Sequence, residues 1–250
     1  MSSGRLTGND VGGAEYLASI YGTERDKVNC YFYYRVGACR FGDTCTRNHV
    51  KPTYSRTILL HNLYVNPVFA GDAESLNRCK RYTPEQQRHF EEFYEEVITE
   101  LLEYGLVEDM LVCDNMAEHM IGNVYVRFER DDVARKAMEE LNNRWFNGRP
   151  IHAELCPVED FTKSFCRDNG SKGCPMGSFC NFLHIRTLSC EAEERVQEVF
   201  NEYYDRLFEK QDRIKSRRKR RSTGTRKQNR SGAQGLFSSY NDEVLIVEEY

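Results

Sequence analysis

Two groups of cysteine and histidine residues have the spacing of metal ligands. The first follows the pattern Cys-x8-Cys-x5-Cys-x3-His and consists of Cys30, Cys39, Cys45 and His49. The second follows Cys-x7-Cys-x5-Cys-x3-His and consists of Cys166, Cys174, Cys180 and His184. Zinc binds four such ligands as a tetrahedron, and segments this short have too little apolar core to fold without metal. The spacing therefore predicts two Cys3His zinc fingers that hold two structural Zn²⁺ ions.

Zinc sites of this kind imply binding and no catalysis. Four protein ligands fill the coordination shell, so no position remains for a water that the metal could activate. The sequence also shows no Ser/His/Asp grouping and no phosphate-binding loop. We therefore expect a protein that is not an enzyme and has no small-molecule substrate.

The predicted fingers are rich in aromatic and cationic side chains. These residues are Tyr31, Phe32, Tyr33, Tyr34, Arg35, Arg40, Phe41, Arg47, Phe165, Arg167, Phe179 and Phe182. Rings that stack on bases, with Arg nearby to meet phosphate, are how proteins hold single-stranded RNA. Some of the rings must pack around the metal instead, so we expect base contacts first at Phe32 and Phe182.

Charge and cysteine content indicate where the chain acts. Residues 211–250 carry ten Lys or Arg and five Asp or Glu, although the whole chain has a formal charge of −4. Such a basic tail is typical of an import signal or a phosphate-binding segment. No run approaches the roughly 20 apolar residues that span a bilayer. We therefore expect no membrane partner and a location in the nucleus or cytosol, where ten cysteines favour metal over disulfides.

The segment between the two cysteine groups predicts an α+β domain. Strand patterns lie at Thr57–Tyr64, Leu106–Cys113, Asn123–Phe128 and Pro150–Leu155, with helices around residues 90–104 and at Asp131–Leu141. The order β-α-β-β-α-β is the ferredoxin-like fold of the RNA recognition motif. A domain of this size has its own core, so we expect it to fold without the fingers.

The predicted organisation has six segments. They are a disordered N-terminus (1–13), a first finger (14–52), the atypical RNA recognition motif (53–157), a second finger (158–186), an amphipathic helix (187–212) and a basic, largely disordered tail (213–250). The long loop between Leu63 and Pro84 is expected to be functional or disordered.

The third strand lacks most of the RNA-binding pattern of this fold. Asn123 stands where a stacking ring is expected, and Ile121 stands where a cation is expected. Tyr125 is the remaining candidate for base stacking. The pattern predicts that the sheet has largely lost its RNA-binding role.

Two other features of the central domain suggest a protein partner. Glu92, Glu95 and Glu96 lie opposite the apolar face of the first helix, which predicts either a solvated surface or a site for a basic peptide. The run Arg144-Trp145-Phe146 precedes the last strand. Its two large aromatic side chains either fold back onto the core or contact a partner.

Five runs of the sequence, at residues 14–24, 26–30, 122–126, 142–148 and 180–182, carry a resemblance to a known family. Over roughly residues 14–184, the chain resembles the small subunit of the spliceosomal U2 auxiliary factor. Runs of this length and order are far more specific than the finger spacing alone.

The resemblance implies that the central domain is a U2AF-homology motif, which binds a basic peptide containing Trp from the large subunit. Arg144 and Phe146 would hold the partner's Trp, and Trp145 would insert into the large subunit. The helix carboxylates would meet the basic residues of the peptide, which implicates Glu92, Glu95 and Glu96.

For the fingers, the resemblance implies recognition of the AG at the 3′ splice site of single-stranded pre-mRNA, in the nucleus. The two fingers would pack side by side and contact the AG through Phe32, Arg40, Thr46, Arg47, Arg167 and Phe182. The chain has Thr162-Lys163 and Pro175-Met176 where the family often carries Arg, so we expect altered contacts in the second finger. The alternative function is a peptide-binding scaffold whose fingers only brace the central domain.

Overall fold

The computed structural model describes residues 28–67, 82–158, 160–169 and 173–228. The predictions for the N-terminus, for the end of the tail and for most of the loop after Leu63 lie outside these residues. The first compact unit ends at Val199 and the second begins at Phe200. Within the described part of the chain, no helix is long and apolar enough to cross a membrane.

Ten regular elements follow one another along the described chain. They are α1 (Tyr31–Val36), β1 (Thr57–Leu60), α2 (Pro84–Leu102), β2 (Val107–Val112), β3 (Val124–Phe128), α3 (Asp131–Leu141), β4 (Trp145–Phe146), β5 (Arg149–Pro150), β6 (Ala153–Leu155) and α4 (Cys190–Gln228). Short 3-10 helices lie at Gly42–Thr44, Phe161–Lys163 and Gly177–Phe179.

The central domain has the ferredoxin-like α+β fold that the sequence predicts. Four antiparallel strands form a sheet in the order β2-β3-β1-β6, and Leu59 of β1 lies opposite both Tyr125 and Glu154. Strand β1 ends earlier than predicted, because Asn62 takes a left-handed φ of 49°. The predicted strand at Pro150–Leu155 is divided between β5, which pairs with β4, and β6 in the main sheet.

Helices α2 and α3 supply the apolar layer on one face of the sheet. Thr83 caps α2 in a capping box with Gln86, and Pro84 occupies the first turn, where its missing N–H removes no hydrogen bond. Phe90 and Leu101 recur at helical spacing and are fully buried. Helix α3 packs against β1, β3 and β6.

The other face of the sheet is covered by the zinc-finger segments. Tyr125 is completely buried in a cluster that also contains Val36 of the first finger and Phe161 and Leu183 of the second. The expectation that Tyr125 could stack on RNA is therefore wrong. The cluster also shows that the central domain has a second apolar face, which it shares with the fingers.

An ion cluster that includes the exposed Lys51 attaches the first finger to the sheet edge. Lys51, near the end of the first finger, lies 3.0 Å from the carboxylate of Glu154 on β6, and the His61 ring lies 2.8 Å from the same carboxylate. The hydrogen bond to His61 and the one from Lys51 lower the pKa of Glu154 to about 2. The carboxylate therefore remains charged throughout the physiological pH range.

Helix α4 extends beyond the predicted end at residue 212 and continues to Gln228. The charged run was expected to end the helix because it cannot pack against a core. However, Lys, Arg and Gln are good helix formers, and no Pro interrupts them. Arg213 also lies 3.2 Å from Glu209, one helical turn earlier.

Candidate functional site

The first group of predicted metal ligands converges at one point. The ligand atoms of Cys30, Cys39, Cys45 and His49 all lie within 4.8 Å of one another. The amide of Cys30 donates a hydrogen bond to the Asn48 carbonyl at 3.0 Å, which brings the two ends of the finger together. Gly37 ends α1 in a left-handed conformation and turns the chain toward Cys39.

The second group converges in the same way and with the same local backbone. The ligand atoms of Cys166, Cys174, Cys180 and His184 also lie within 4.8 Å of one another. The amide of Cys166 donates to the Leu183 carbonyl at 3.0 Å, which matches the hydrogen bond of Cys30 in the first finger. The two fingers are thus structural repeats separated by the central domain.

The chemistry of both clusters fits zinc. Burial raises the pKa of Cys30 to about 12 and that of Cys180 to about 12, so thiolates there require a bound cation. Burial also lowers the pKa of His49 and His184, which keeps both rings neutral and able to bind metal. Their Nε2 atoms are buried and have no hydrogen-bond partner among the described residues.

Aromatic rings from the two fingers meet beside these clusters. The Phe32 ring lies 5.7 Å from that of Phe182, and the Tyr31 ring contacts both, at 5.6 Å and 6.4 Å. Phe32 and Phe182 are half-buried, so part of each ring is accessible. The predicted pair of base-contacting rings is therefore brought together by the fold.

A groove of about 750 Å³ extends from this aromatic cluster along the second finger. It combines aromatic, cationic and apolar side chains with one carboxylate, that of Asp168, and three of the predicted metal ligands. The aromatic, cationic and apolar side chains include those of Tyr31, Arg35, Lys163, Phe165, Arg167, Met176 and Phe182. Of the predicted RNA-binding residues, Arg167 and Phe182 line the groove. Sequence reasoning missed Lys163 and did not single out Arg35 and Tyr31 as site residues.

The remaining predicted RNA-binding residues lie elsewhere on the first finger. Arg40, Thr46 and Arg47 are not among the described residues that line the groove. Arg40 and Thr46 are exposed, and Arg47 is half-buried. The guanidinium of Arg40 lies 5.4 Å from the centre of the Phe41 ring.

The predicted partner-binding aromatics lie on the hairpin formed by β4 and β5. Asn147 and Gly148 form its two-residue turn with φ values of 47° and 73°, as an Asn-Gly turn of this type requires. Trp145 is 70% exposed, so it does not fold back onto the core. Phe146 instead packs on Phe93 of α2, with ring centres 5.7 Å apart.

An apolar cavity of about 170 Å³ lies beneath this hairpin. Its lining consists of Leu60, Leu63, Glu96, Val97, Glu100, Leu101, Leu141, Arg144, Trp145, Phe146 and Ile151. Arg144 forms an ion pair with Glu100 and donates a hydrogen bond to Tyr104 Oη at 3.2 Å. The hydrogen bond to Glu100 raises the pKa of Arg144, which stays positively charged.

The acidic face of α2 differs from the predicted one. Glu95 is 2.6 Å from Arg195 of α4, and Glu92 is 3.6 Å from Arg88. Of the three predicted carboxylates, only Glu96 lines the cavity. Sequence reasoning missed Glu100, although its position one turn after Glu96 places both on the same face of the helix.

Two segments of the chain match known families. Residues 26–51 match the family described as zinc finger C-x8-C-x5-C-x3-H type (and similar), and residues 94–152 match the family described as RNA recognition motif. With the fold and the two ligand clusters, these matches define a protein that combines an RNA recognition motif with Cys3His fingers.

Relatives identify the family more closely. The chain is 55% identical over 177 residues to the splicing factor U2AF 26 kDa subunit of Rattus norvegicus, covering 70% of this chain and 80% of that protein. It is 48% identical over 177 residues to the U2AF 23 kDa subunit of Schizosaccharomyces pombe, covering 70% and 79%. The chain therefore belongs to the small-subunit family of the splicing factor U2AF, as its sequence runs predict. This is a family of splicing factors and not of enzymes.

Proposed function

We propose that this splicing factor recognises the AG dinucleotide at the 3′ splice site through its two fingers and heterodimerises with the large U2AF subunit. The groove beside the finger aromatics is the observation that carries the proposal. It lies on the fingers, whereas the sheet that usually binds RNA in this fold is covered.

The groove has the chemistry that single-stranded RNA needs. The rings of Tyr31 and Phe182 offer stacking surfaces, and Arg167 and Lys163 line the same space with positive charge. We infer that a base stacks against this cluster while phosphates meet the cations. Phe32 would support the stack from the first finger, and Arg40, Thr46 and Arg47 would contact RNA outside the groove.

Each finger is proposed to hold one Zn²⁺ through its three cysteines and one histidine. In this role the ions are structural, because four protein ligands complete the coordination shell. Loss of either ion would separate the finger termini that position the groove.

The hairpin and its cavity support the proposed contact with the large subunit. A Trp of a partner peptide would enter the apolar cavity beside Phe146 and stack on the guanidinium of Arg144, and Trp145 would anchor in the partner. The exposed carboxylate of Glu96 borders the cavity and would meet a basic residue of the peptide, whereas Glu100 already pairs with Arg144. Glu95 is paired within this chain, so we assign it a smaller share than the sequence suggested.

The splicing role and the basic C-terminal run also lead us to place the protein in the nucleus. The run at residues 213–221 contains seven Lys or Arg and no acidic residue. Such runs serve as import signals. Neutralising them is expected to impair nuclear entry while AG preference is kept.

A comparison of matched RNA oligonucleotides tests the proposed AG recognition. The heterodimer with the large subunit is titrated with oligonucleotides that differ only in ending with AG or CG, at one fixed salt concentration. We expect tighter binding to AG. Arg167→Ala should weaken binding to the AG oligonucleotide, and Arg56→Ala, which removes an exposed cation outside the groove, is the matched control.

The alternative function, a peptide-binding scaffold braced by its fingers, is favoured by one observation. Both fingers pack on the sheet. Arg186, the last residue of the second finger, is buried, with its guanidinium 3.5 Å from the Tyr82 ring centre and its Nη1 3.2 Å from Tyr64 Oη. These contacts support a bracing role for the fingers. Equal affinities for AG and CG would favour the scaffold, because bracing requires no sequence preference.

A further inference from the structure

The second finger is hydrogen-bonded to the part of the central domain that follows strand β2. The Met116 amide donates to the Ser178 carbonyl at 2.7 Å, and the Asp114 amide donates to the His184 carbonyl at 2.7 Å. Two of the four predicted ligands of the second site, Cys180 and His184, lie in the finger segment that these bonds hold. The central domain therefore fixes the backbone of half of this ligand set.

Asn115 adds a side-chain contact to the same segment. Its Nδ2 atom donates to the Cys180 carbonyl at 2.8 Å and to the Phe182 carbonyl at 2.9 Å, and its Oδ1 atom accepts the His184 amide hydrogen at 2.8 Å. Asn115 is only 1% exposed, so water does not compete for these bonds. A buried amide that meets three backbone groups fixes both the position and the orientation of the chain between the two ligands.

The first finger arranges its ligand backbone with its own residues. The Cys30 amide donates to the Asn48 carbonyl at 3.0 Å, and the Cys45 amide donates to the Gly42 carbonyl at 3.3 Å. Helix α1 of this finger rests on the sheet, but these bonds connect residues of one short segment, which depends on metal to stay folded. The second site therefore has a source of order that is independent of zinc, in the bonds to Asn115 and its neighbours.

We propose that Asn115 is a positioning residue for the second zinc site and makes this site bind zinc more tightly than the first. The inference rests on the proposed zinc sites and deepens them. Cys180 and His184 are held in place by the folded central domain, so zinc has less of the second finger to order. Limiting zinc therefore empties the first finger before the second. Because Asn115 also bonds the Phe182 carbonyl, the same contact positions the Phe182 ring beside the proposed RNA groove.

Site-resolved removal of zinc from the full chain tests the proposal. The zinc-loaded protein is equilibrated with increasing concentrations of a zinc chelator and then alkylated, and mass spectrometry of its peptides reports the modified fraction of each cysteine. A thiolate bound to zinc is protected from alkylation, so Cys45 reports the first site and Cys174 the second. Both are half-buried, so both become accessible once zinc leaves. We expect Cys45 to react at chelator concentrations that still leave Cys174 protected, and coincident curves would contradict the predicted difference.

Two variants test whether Asn115 causes the difference. Asn115→Ala should weaken zinc binding at the second site by about 10- to 100-fold, as loss of a group that orients metal ligands does, and leave the first site unchanged. Asn115→Asp keeps the volume and the acceptor for His184 but places a carboxylate against the Cys180 and Phe182 carbonyls, so it should lose a similar amount. An unchanged curve for Cys174 in both variants would overturn the role of Asn115.

Asn123→Ala is the matched control. Asn123 is also 1% exposed in the central domain, but its amide bonds the Asn62 amide at 3.1 Å and the His119 carbonyl at 3.0 Å, within that domain. The control should leave the Cys174 curve close to that of the unmodified protein. A shift as large as that of Asn115→Ala would show a general loss of stability and refute a positioning role.

Other cysteines of the same molecules separate the remaining outcomes. Cys156 is completely buried in the central domain, so its alkylation reports unfolding of that domain and not loss of zinc. A variant that unfolds is thereby recognised, and the order of Cys45 and Cys174 in the unmodified protein still decides the proposal. Alkylation at both sites without chelator contradicts the zinc sites themselves. Protection that is lost equally at both sites contradicts only the role of Asn115.

Discussion

Gly37 lies where the first finger rests on the central sheet, and its replacement tests how tightly the two are joined. Its φ is +79°, and a Cβ atom there would lie 2.5 Å from Cys156 Sγ and 3.0 Å from Tyr125 Cε1. The left-handed conformation costs an L residue about 1–2 kcal/mol. Because Cys156 and Tyr125 are completely buried, overpacking adds about 1–3 kcal/mol. Gly37→Ala should therefore lower the free energy of unfolding by about 2–5 kcal/mol.

The measurement is urea denaturation of the zinc-loaded chain, with Gly42→Ala as the control. Gly42 also has a positive φ, of +46°, but no described atom lies within 4 Å of the position that an alanine methyl group would occupy there. The control should therefore show the backbone strain without the clash. Adding Cys156→Ala to Gly37→Ala should recover part of the loss. If Gly37→Ala is no more destabilising than Gly42→Ala, the finger is not seated tightly on the sheet and the reasoning fails.

Three other perturbations test the interface, the ion cluster and the metal. Trp145→Ala should lower the free energy of unfolding by less than about 1.5 kcal/mol, because Trp145 is 70% exposed. The same variant should weaken binding of a large-subunit peptide about thirtyfold, as measured by calorimetry. Tyr54→Ala, at a residue that is 69% exposed, is the control and should leave peptide affinity unchanged. The pKa of Glu154 is lowered to about 2, so its carboxylate stabilises the fold fully above about pH 4.5 and progressively less as the pH falls toward 2. Glu154→Gln should therefore lower the free energy of unfolding by at most about 3 kcal/mol at pH 7. In urea denaturation, the difference in unfolding free energy between the variant and the unmodified protein should narrow below about pH 4.5. Cys30→Ser should lower zinc content by one ion per chain and also the melting temperature of the central domain, because the finger packs on one face of its sheet. Unchanged melting would show that the domain is independent.

Local sequence signals predicted the elements that depend on local interactions. The helix at Asp131–Leu141 has the predicted bounds, because acidic residues open it and its apolar residues recur at helical spacing. The two ligand groups likewise converge, since each finger is a short segment whose spacing determines which side chains can meet.

Contacts between distant segments were beyond the sequence patterns. Tyr125 was a plausible stacking residue until the fold placed Val36 and Phe161 over it, and neither is near it in sequence. Glu95 looked available to a partner, but Arg195, 100 residues later, pairs with it. Periodicity shows which face of an element is apolar, but it does not show which other segment will cover that face.

The packing of both fingers on one sheet has an entropic consequence for RNA binding. The Ser164 hydroxyl of the second finger donates a hydrogen bond to the Arg35 carbonyl of the first, 129 residues away in sequence. Bringing the ends of a flexible chain of that length together costs about 4 kcal/mol in the length-dependent part of the closure entropy. This loss of chain entropy occurs when the central domain folds, and therefore does not accompany RNA binding. The two fingers therefore form one preorganised surface. If the fingers were joined by a flexible tether, an RNA that spans both would have to order them on binding, and that entropic cost would weaken its affinity.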